Sequence, residues 1–142
     1  MKKGFTLIEL LVVIAIIALL STLAVVALGS AREKARDAKR LSDIKQVQTA
    51  LELYYTDKSD YPAGTVLVLG GDSAGCLGGY GFKGSGCAAT EYMGQVPANP
   101  TPNGAAYTYT KGTATYSITF SLEGTSGGLA SGAHTASPSG MK

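Results

Sequence analysis

A chain of 142 residues fits one domain plus an extension and is too short for two full domains. Its apolar residues, 45% of the total, are unevenly spread: from Leu10 to Ala31 run 22 residues without a charge. The net charge of +2 is supplied by Lys2 and Lys3; beyond residue 4 ten basic side chains face ten acidic ones, which argues against the net basic domain of a nucleic-acid protein.

In chain order, the apolar run comes first. As a helix rising 1.5 Å per residue it would reach ~33 Å, enough to cross a bilayer core of ~30 Å. Glu9 stands near its start, in "GFTLIELLVVIAIIALL". An ionised acid in hydrocarbon costs on the order of 2.5–3.5 kcal/mol at a helix centre, so an acid kept there marks a functional position.

The helical pattern continues past the run. Ala31, Ala35, Ala38, Leu41, Ile44, Val47, Leu51 and Tyr54 recur every three or four residues, the stripe of an amphipathic helix. No proline lies between residues 5 and 61, and Gly29 weakens a helix by about 1 kcal/mol without ending it. One helix is therefore expected from about Phe5 to Asp57, closed by the turn formers of "DKSDYPAG". Within it, "REKARDAKR" (32–40) interleaves bases with Glu33 and Asp37 at ion-pair spacing, as in Glu33–Asp37–Arg40 and Arg32–Arg36–Asp37. This reads as a solvated or subunit-facing surface; DNA contact is the weaker reading.

The polar remainder, 58–142, reads as a small head. "TVLVL" (65–69) is a short strand or buried loop. Residues 70–87 lack periodicity and hold Cys76 and Cys87 with ten residues between them. A cysteine pair in a chain with an export segment reads as a disulfide; metal binding is disfavoured because the lone His134 is far away. Residues 96–104 form a proline-rich connection that cannot be a central strand. The clearest β signal is a hairpin over 106–123: Tyr107 and Tyr109, then Tyr116, Ile118, Phe120 and Leu122, alternate with polar residues, with Lys111-Gly112 at the turn. An isolated hairpin is marginal in water, so its aromatic face needs the helix stripe beneath it. The tail, poor in large apolar residues, is expected to be a loosely packed end with room for one edge strand.

Nothing reads as an active site. Gly79–Gly84 matches G-x-G-x-x-G, but no helical pattern follows it, as a dinucleotide site requires. Asn99-Pro100-Thr101 is excluded as a glycosylation acceptor by its proline. The acids Asp57, Asp60, Asp72, Glu91 and Glu123 show no paired spacing, and no cofactor or metal site is expected.

The leader Met1–Gly4 followed by Phe5-Thr6-Leu7-Ile8-Glu9 closely resembles the N-terminus of type IV pilins and type II secretion pseudopilins. The resemblance extends through the helix and, more loosely, through the hairpin. It implies an α+β fold: a long N-terminal helix packed on a small antiparallel sheet with a disulfide-pinned loop. Its parts would be a leader (1–4), a transmembrane and filament-core helix (5–31), an amphipathic half (32–57) and a head (58–142). It further implies cleavage between Gly4 and Phe5 by a prepilin peptidase, N-methylation of Phe5, and assembly in which Glu9 meets the amino-terminal charge of a neighbouring subunit. The implied function is a pilin polymerising into a type IV pilus-like filament, or alternatively a secretion pseudopilin or minor pilin. Implied partners are identical or related subunits, the peptidase, an inner-membrane assembly platform and, before assembly, the membrane. The rival from another class is a membrane-anchored module binding DNA or a surface, for which Glu9 would have no use. The chain departs from many pilins in having Val26 where they carry a proline. It also carries six basic residues within Arg32–Lys45 against two in the leader, the reverse of the positive-inside expectation.

Overall fold

The computed structural model describes residues 4–87 and 92–142; leader residues 1–3 and the acid Glu91 lie outside the described residues. Helix α1 spans Leu7–Lys58 in 52 unbroken residues. It begins two residues later than the periodicity suggests, because Thr6 is its cap. It ends where Ser59 turns into the left-handed region (φ 57°) and its N–H donates to the Tyr55 carbonyl at 2.7 Å. The chain divides into two units, Met1–Glu33 and Lys34–Lys142.

In the first unit every large apolar side chain from Phe5 to Leu28 is exposed. A helix apolar around its whole circumference has no wet face and requires lipid or other apolar helices around it. Among the described residues this is the one helix long and apolar enough to cross a membrane. The Thr22 hydroxyl donates to the Leu19 carbonyl at 2.8 Å, so this polar group within the run is satisfied inside the helix.

In the second unit, strands β1 (Leu67–Val68), β4 (Thr108–Lys111), β5 (Tyr116–Leu122), β6 (Gly132–Ser137) and β7 (Gly140–Met141) form one antiparallel sheet in that spatial order. Strands β2 (Cys76–Gly78) and β3 (Gly81–Lys83) form a separate hairpin. Tyr109 faces Ile118 across β4 and β5, and alternation buries Tyr107, Tyr109, Tyr116, Ile118, Phe120 and Leu122. The floor is Ile44, Val47, Ala50 and Leu51 of α1. Each fully buried aliphatic side chain contributes about 1.5–3 kcal/mol. The expected α+β class, with its long helix and antiparallel sheet, is the architecture observed.

Several local expectations are corrected. The turn between β4 and β5 is the four residues 112–115, closed by Gly112 N–H donating to Thr115 O at 2.9 Å, rather than Lys111-Gly112 alone. The 70–87 stretch contains the β2–β3 hairpin, too short for a period to register. The tail supplies two strands, and Ala136 of β6 is fully buried in the core. The upper helix stripe is also displaced: Ala31, Ala35 and Ala38 are exposed, while Asp37 and Arg40 turn inward.

Candidate functional site

Among the described residues, two groups stand out for chemistry beyond packing, one at the start of α1 and one within the head. At the start of α1, Thr6 and Glu9 form a reciprocal capping box. The Glu9 N–H donates to Thr6 Oγ1 at 3.3 Å, while Glu9 Oε2 accepts from the Thr6 N–H at 2.9 Å and the Thr6 hydroxyl at 2.7 Å. The first turn of a helix leaves N–H groups unsatisfied and carries a partial positive charge, and this carboxylate answers both. Glu9 thus has hydrogen-bond partners within its own chain. The Thr-x-x-Glu spacing ahead of an apolar run is the signal for Thr6, which a reading of Glu9 alone overlooks. Gly4 and Phe5 precede the helix, outside any regular element, and are exposed.

In the head, Arg40 is completely buried and all five of its N–H donors are used. Nε donates to Asn99 Oδ1 at 2.8 Å. Nη1 donates to Asp37 Oδ1 and Glu123 Oε1, both at 2.6 Å. Nη2 donates to the carbonyls of Pro100, at 3.2 Å, and Asn103. Arg36 grips Glu123 in a two-pronged pair at 2.7 and 2.5 Å, and Asn103 Nδ2 donates to the same carboxylate at 2.9 Å. Asp37 accepts the main-chain N–H groups of Glu123 (3.0 Å) and Gly124 (2.8 Å). Two cations and two anions cancel, so the cluster can be buried. Gly104 lets the loop lie this close: it has φ +93°, and a Cβ there would come within 2.9 Å of Arg40 Nη2.

The electrostatics follow the contacts. The Arg36 guanidinium, helped by Asn103 and Arg40 and opposed by burial, holds the Glu123 carboxyl far below the usual carboxylate range. Burial works against ionisation of Asp37, but the N–H groups of Glu123 and Gly124 together with Arg40 outweigh it and keep the carboxyl low. Burial pushes Asp43 the other way, upward, against a smaller opposing effect of Lys39 and the Tyr107 hydroxyl. Burial, then the hydrogen bond to Glu52, raises Tyr61 to about 12.

This cluster corrects the reading of "REKARDAKR" as a solvated or subunit-facing surface. Arg36, Asp37 and Arg40 engage the chain's own 99–104 loop and the end of β5. Two cations that a DNA backbone would need are therefore committed to carboxylates. Of the expected helix pairs the structure contains Asp37–Arg40. Glu123 does act in a pair, with Asp37 across Arg40, a juxtaposition that spacing cannot reveal. Asp57 accepts from the Tyr92 hydroxyl at 2.9 Å and Asp60 from Lys111 Nζ at 2.5 Å; neither is brought beside a nucleophile. His134 lies next to Phe120 and its Nε2 is 2.7 Å from the Ala130 carbonyl. Cys76 and Cys87 are joined in a disulfide with Cα atoms 6.1 Å apart, pinning the β2–β3 hairpin. Among the described residues no cluster could hold a metal ion.

Residues 1–29 match the family model of the prokaryotic N-terminal methylation motif. The type II secretion system core protein G of Escherichia coli (strain K12) is 44% identical over 61 residues, which are 43% of this chain and 42% of that protein. Its counterpart in Pectobacterium carotovorum is 42% identical over 62 residues, 44% of this chain and 40% of that protein. The Vibrio cholerae counterpart is 38% identical over 61 residues, 43% of this chain and 42% of that protein. The matched stretch thus spans about two fifths of each of these relatives. No solved structure matches the chain significantly. By its N-terminal methylation motif and by these relatives over about two fifths of its length, the chain is similar to type IV pilins and type II secretion pseudopilins, and its long apolar helix with a small antiparallel sheet is consistent with that likeness.

Proposed function

We propose that the protein is a pseudopilin, a structural subunit that polymerises through its N-terminal helix into a periplasmic filament serving protein secretion. The observation that carries this reading is the joint match to the methylation motif and to the secretion core protein G. It favours the pseudopilin over the pilus pilin that the sequence put first. A surface pilus is the second reading, and an extracellular location goes with that reading alone. Neither role is enzymatic.

Supporting physics lies in the apolar helix, which serves as membrane anchor before assembly and as filament core after it. Residues 5–31 would do this, with 32–57 and 58–142 forming the periplasmic part. Processing would cut between Gly4 and Phe5, methylate Phe5, and remove the leader before assembly on an inner-membrane platform. Glu9 would then exchange its capping partners for the new amino terminus of a neighbouring subunit.

Two measurements test the proposal. Mass spectrometry of the mature protein should find an N-terminal methyl-Phe5; a start near Ser30 would mean an ordinary signal peptide and end the reading. Deleting the gene in its host should leave secreted proteins trapped in the periplasm with surface pili intact. Lost pili with normal secretion would establish the pilus pilin instead.

A further inference from the structure

Asp43 is the one carboxylate of α1 in the head that is buried without an ionic partner. It is only 6% exposed, and its single hydrogen bond, from the Tyr107 hydroxyl to Oδ2, is long at 3.2 Å. Oδ1 accepts nothing among the described residues. A carboxylate offers about four acceptor positions, so most of this one's capacity is unused.

Asp43 lines a cavity of about 520 Å³ between α1 and the 95–101 loop, with Lys39, Gln46, Gln95 and Asn99 around it. The loop's Pro97 and Pro100 contribute no main-chain N–H to this wall. Lys39 shares the cavity yet forms no ion pair with Asp43. A lysine four residues before an acid is also the less favourable helix orientation. Burial penalises the charged form of Asp43, and within the subunit only the more distant Lys39 charge and the single long Tyr107 hydrogen bond offset part of that cost.

The same helix carries the complementary charges. Arg32, Lys34 and Lys45 are exposed and form no ion pair among the described residues. We infer that the Asp43 cavity is an intersubunit socket, which receives a basic side chain from the 32–45 stretch of a second copy of this chain. This rests on the proposal that the protein self-assembles. A buried charge left unpaired in the free subunit and paired in the filament would make assembly favourable at this spot.

The test uses the full chain, with thermal unfolding of the detergent-solubilised subunit and filament yield measured side by side. Asp43→Asn keeps the shape and an acceptor for Tyr107 but removes the buried charge. The expected result is unchanged or higher stability of the subunit together with filament yield lowered about tenfold or more. Lower stability with normal yield, or no change in either, would overturn the socket. If both fall, Asp43→Lys is combined in turn with Arg32→Glu, Lys34→Glu and Lys45→Glu. Assembly restored by one swap supports the pairing, and restoration by none overturns it. Methylammonium that stabilises the wild-type subunit, combined with normal assembly of Asp43→Asn, would assign the cavity to a small free cation and overturn the second-copy occupant. Absence of filaments from the wild-type chain would instead reject the proposed function itself.

Discussion

Arg40 Nη1 lies 2.6 Å from Glu123 Oε1 although 83 positions of sequence separate the two residues. This contact fastens the turn of α1 around residue 40 to the end of β5, and the Arg40 Nη2 bonds to Pro100 and Asn103 hold the proline-rich loop to the same point. Removing one partner leaves buried charge uncompensated, which costs about 3–5 kcal/mol. Glu123→Ala should therefore lower the thermal midpoint of the head steeply, and Arg40→Ala should do the same. The double variant should lose less than the sum, because the two share one network. Additive losses in calorimetry would show that the two residues act independently.

The carboxyls of Asp37 and Glu123 are held low in the folded state. A depressed carboxylate contributes stability that is fully present above its unfolded value, roughly 4, and is lost as pH falls through the folded value. The contribution of Asp37 and Glu123 should thus be level from neutral pH down to about pH 5 and be lost below about pH 4. Asp43 has the opposite sign: its raised pKa costs stability near neutral pH, a cost that protonation removes. Glu123→Gln should flatten the acid limb, whereas Asp43→Asn should leave it in place. Unfolding scans across pH 2–8 read both.

Glu9 accepts from Thr6 in the single chain, so its two duties can be separated. Thr6→Ala removes the cap hydroxyl at a cost of about 0.5–2 kcal/mol and should speed amide exchange at Glu9 and Leu10. Glu9→Leu removes an acid from an apolar helix, so membrane insertion and subunit abundance should hold or improve. Filament yield relative to membrane-bound subunit should fall with Glu9→Leu. Normal yield from Glu9→Leu and from Glu9→Gln would remove Glu9 from the assembly mechanism and leave it a helix cap.

The Cys76–Cys87 bond closes a short loop. On the chain-entropy model it stabilises by about 2.5–3 kcal/mol. The double replacement Cys76→Ser, Cys87→Ser should lower the unfolding free energy of the head by that amount, and with it the denaturant midpoint, while leaving membrane insertion untouched. Denaturant titration of the two forms measures the difference, and an unchanged midpoint would show that the loop is dispensable to the fold.

What the sequence alone determined is local. The uninterrupted apolar run, the 3.6-residue stripe through Leu51 and Tyr54, and the alternation of Tyr107–Tyr109 and Tyr116–Leu122 each follow from neighbours within a few positions, so the helix and the central hairpin were legible. The Thr6–Glu9 box carried a local signal of the same kind, but a reading of Glu9 alone passes over it. Tertiary structure decided which face of α1 the charges occupy. The spacing of Arg36, Asp37 and Arg40 suits a wet helix surface as well as a buried one, and the choice depends on acceptors that residues 99–103 and Glu123 supply from far along the chain. It likewise decided the two tail strands, because Ala136 carries almost no hydrophobic signal until β5 lies beside it. The isolation of Asp43 was equally unreadable, since a carboxylate is costly only once folding has removed its water and supplied no cation in return.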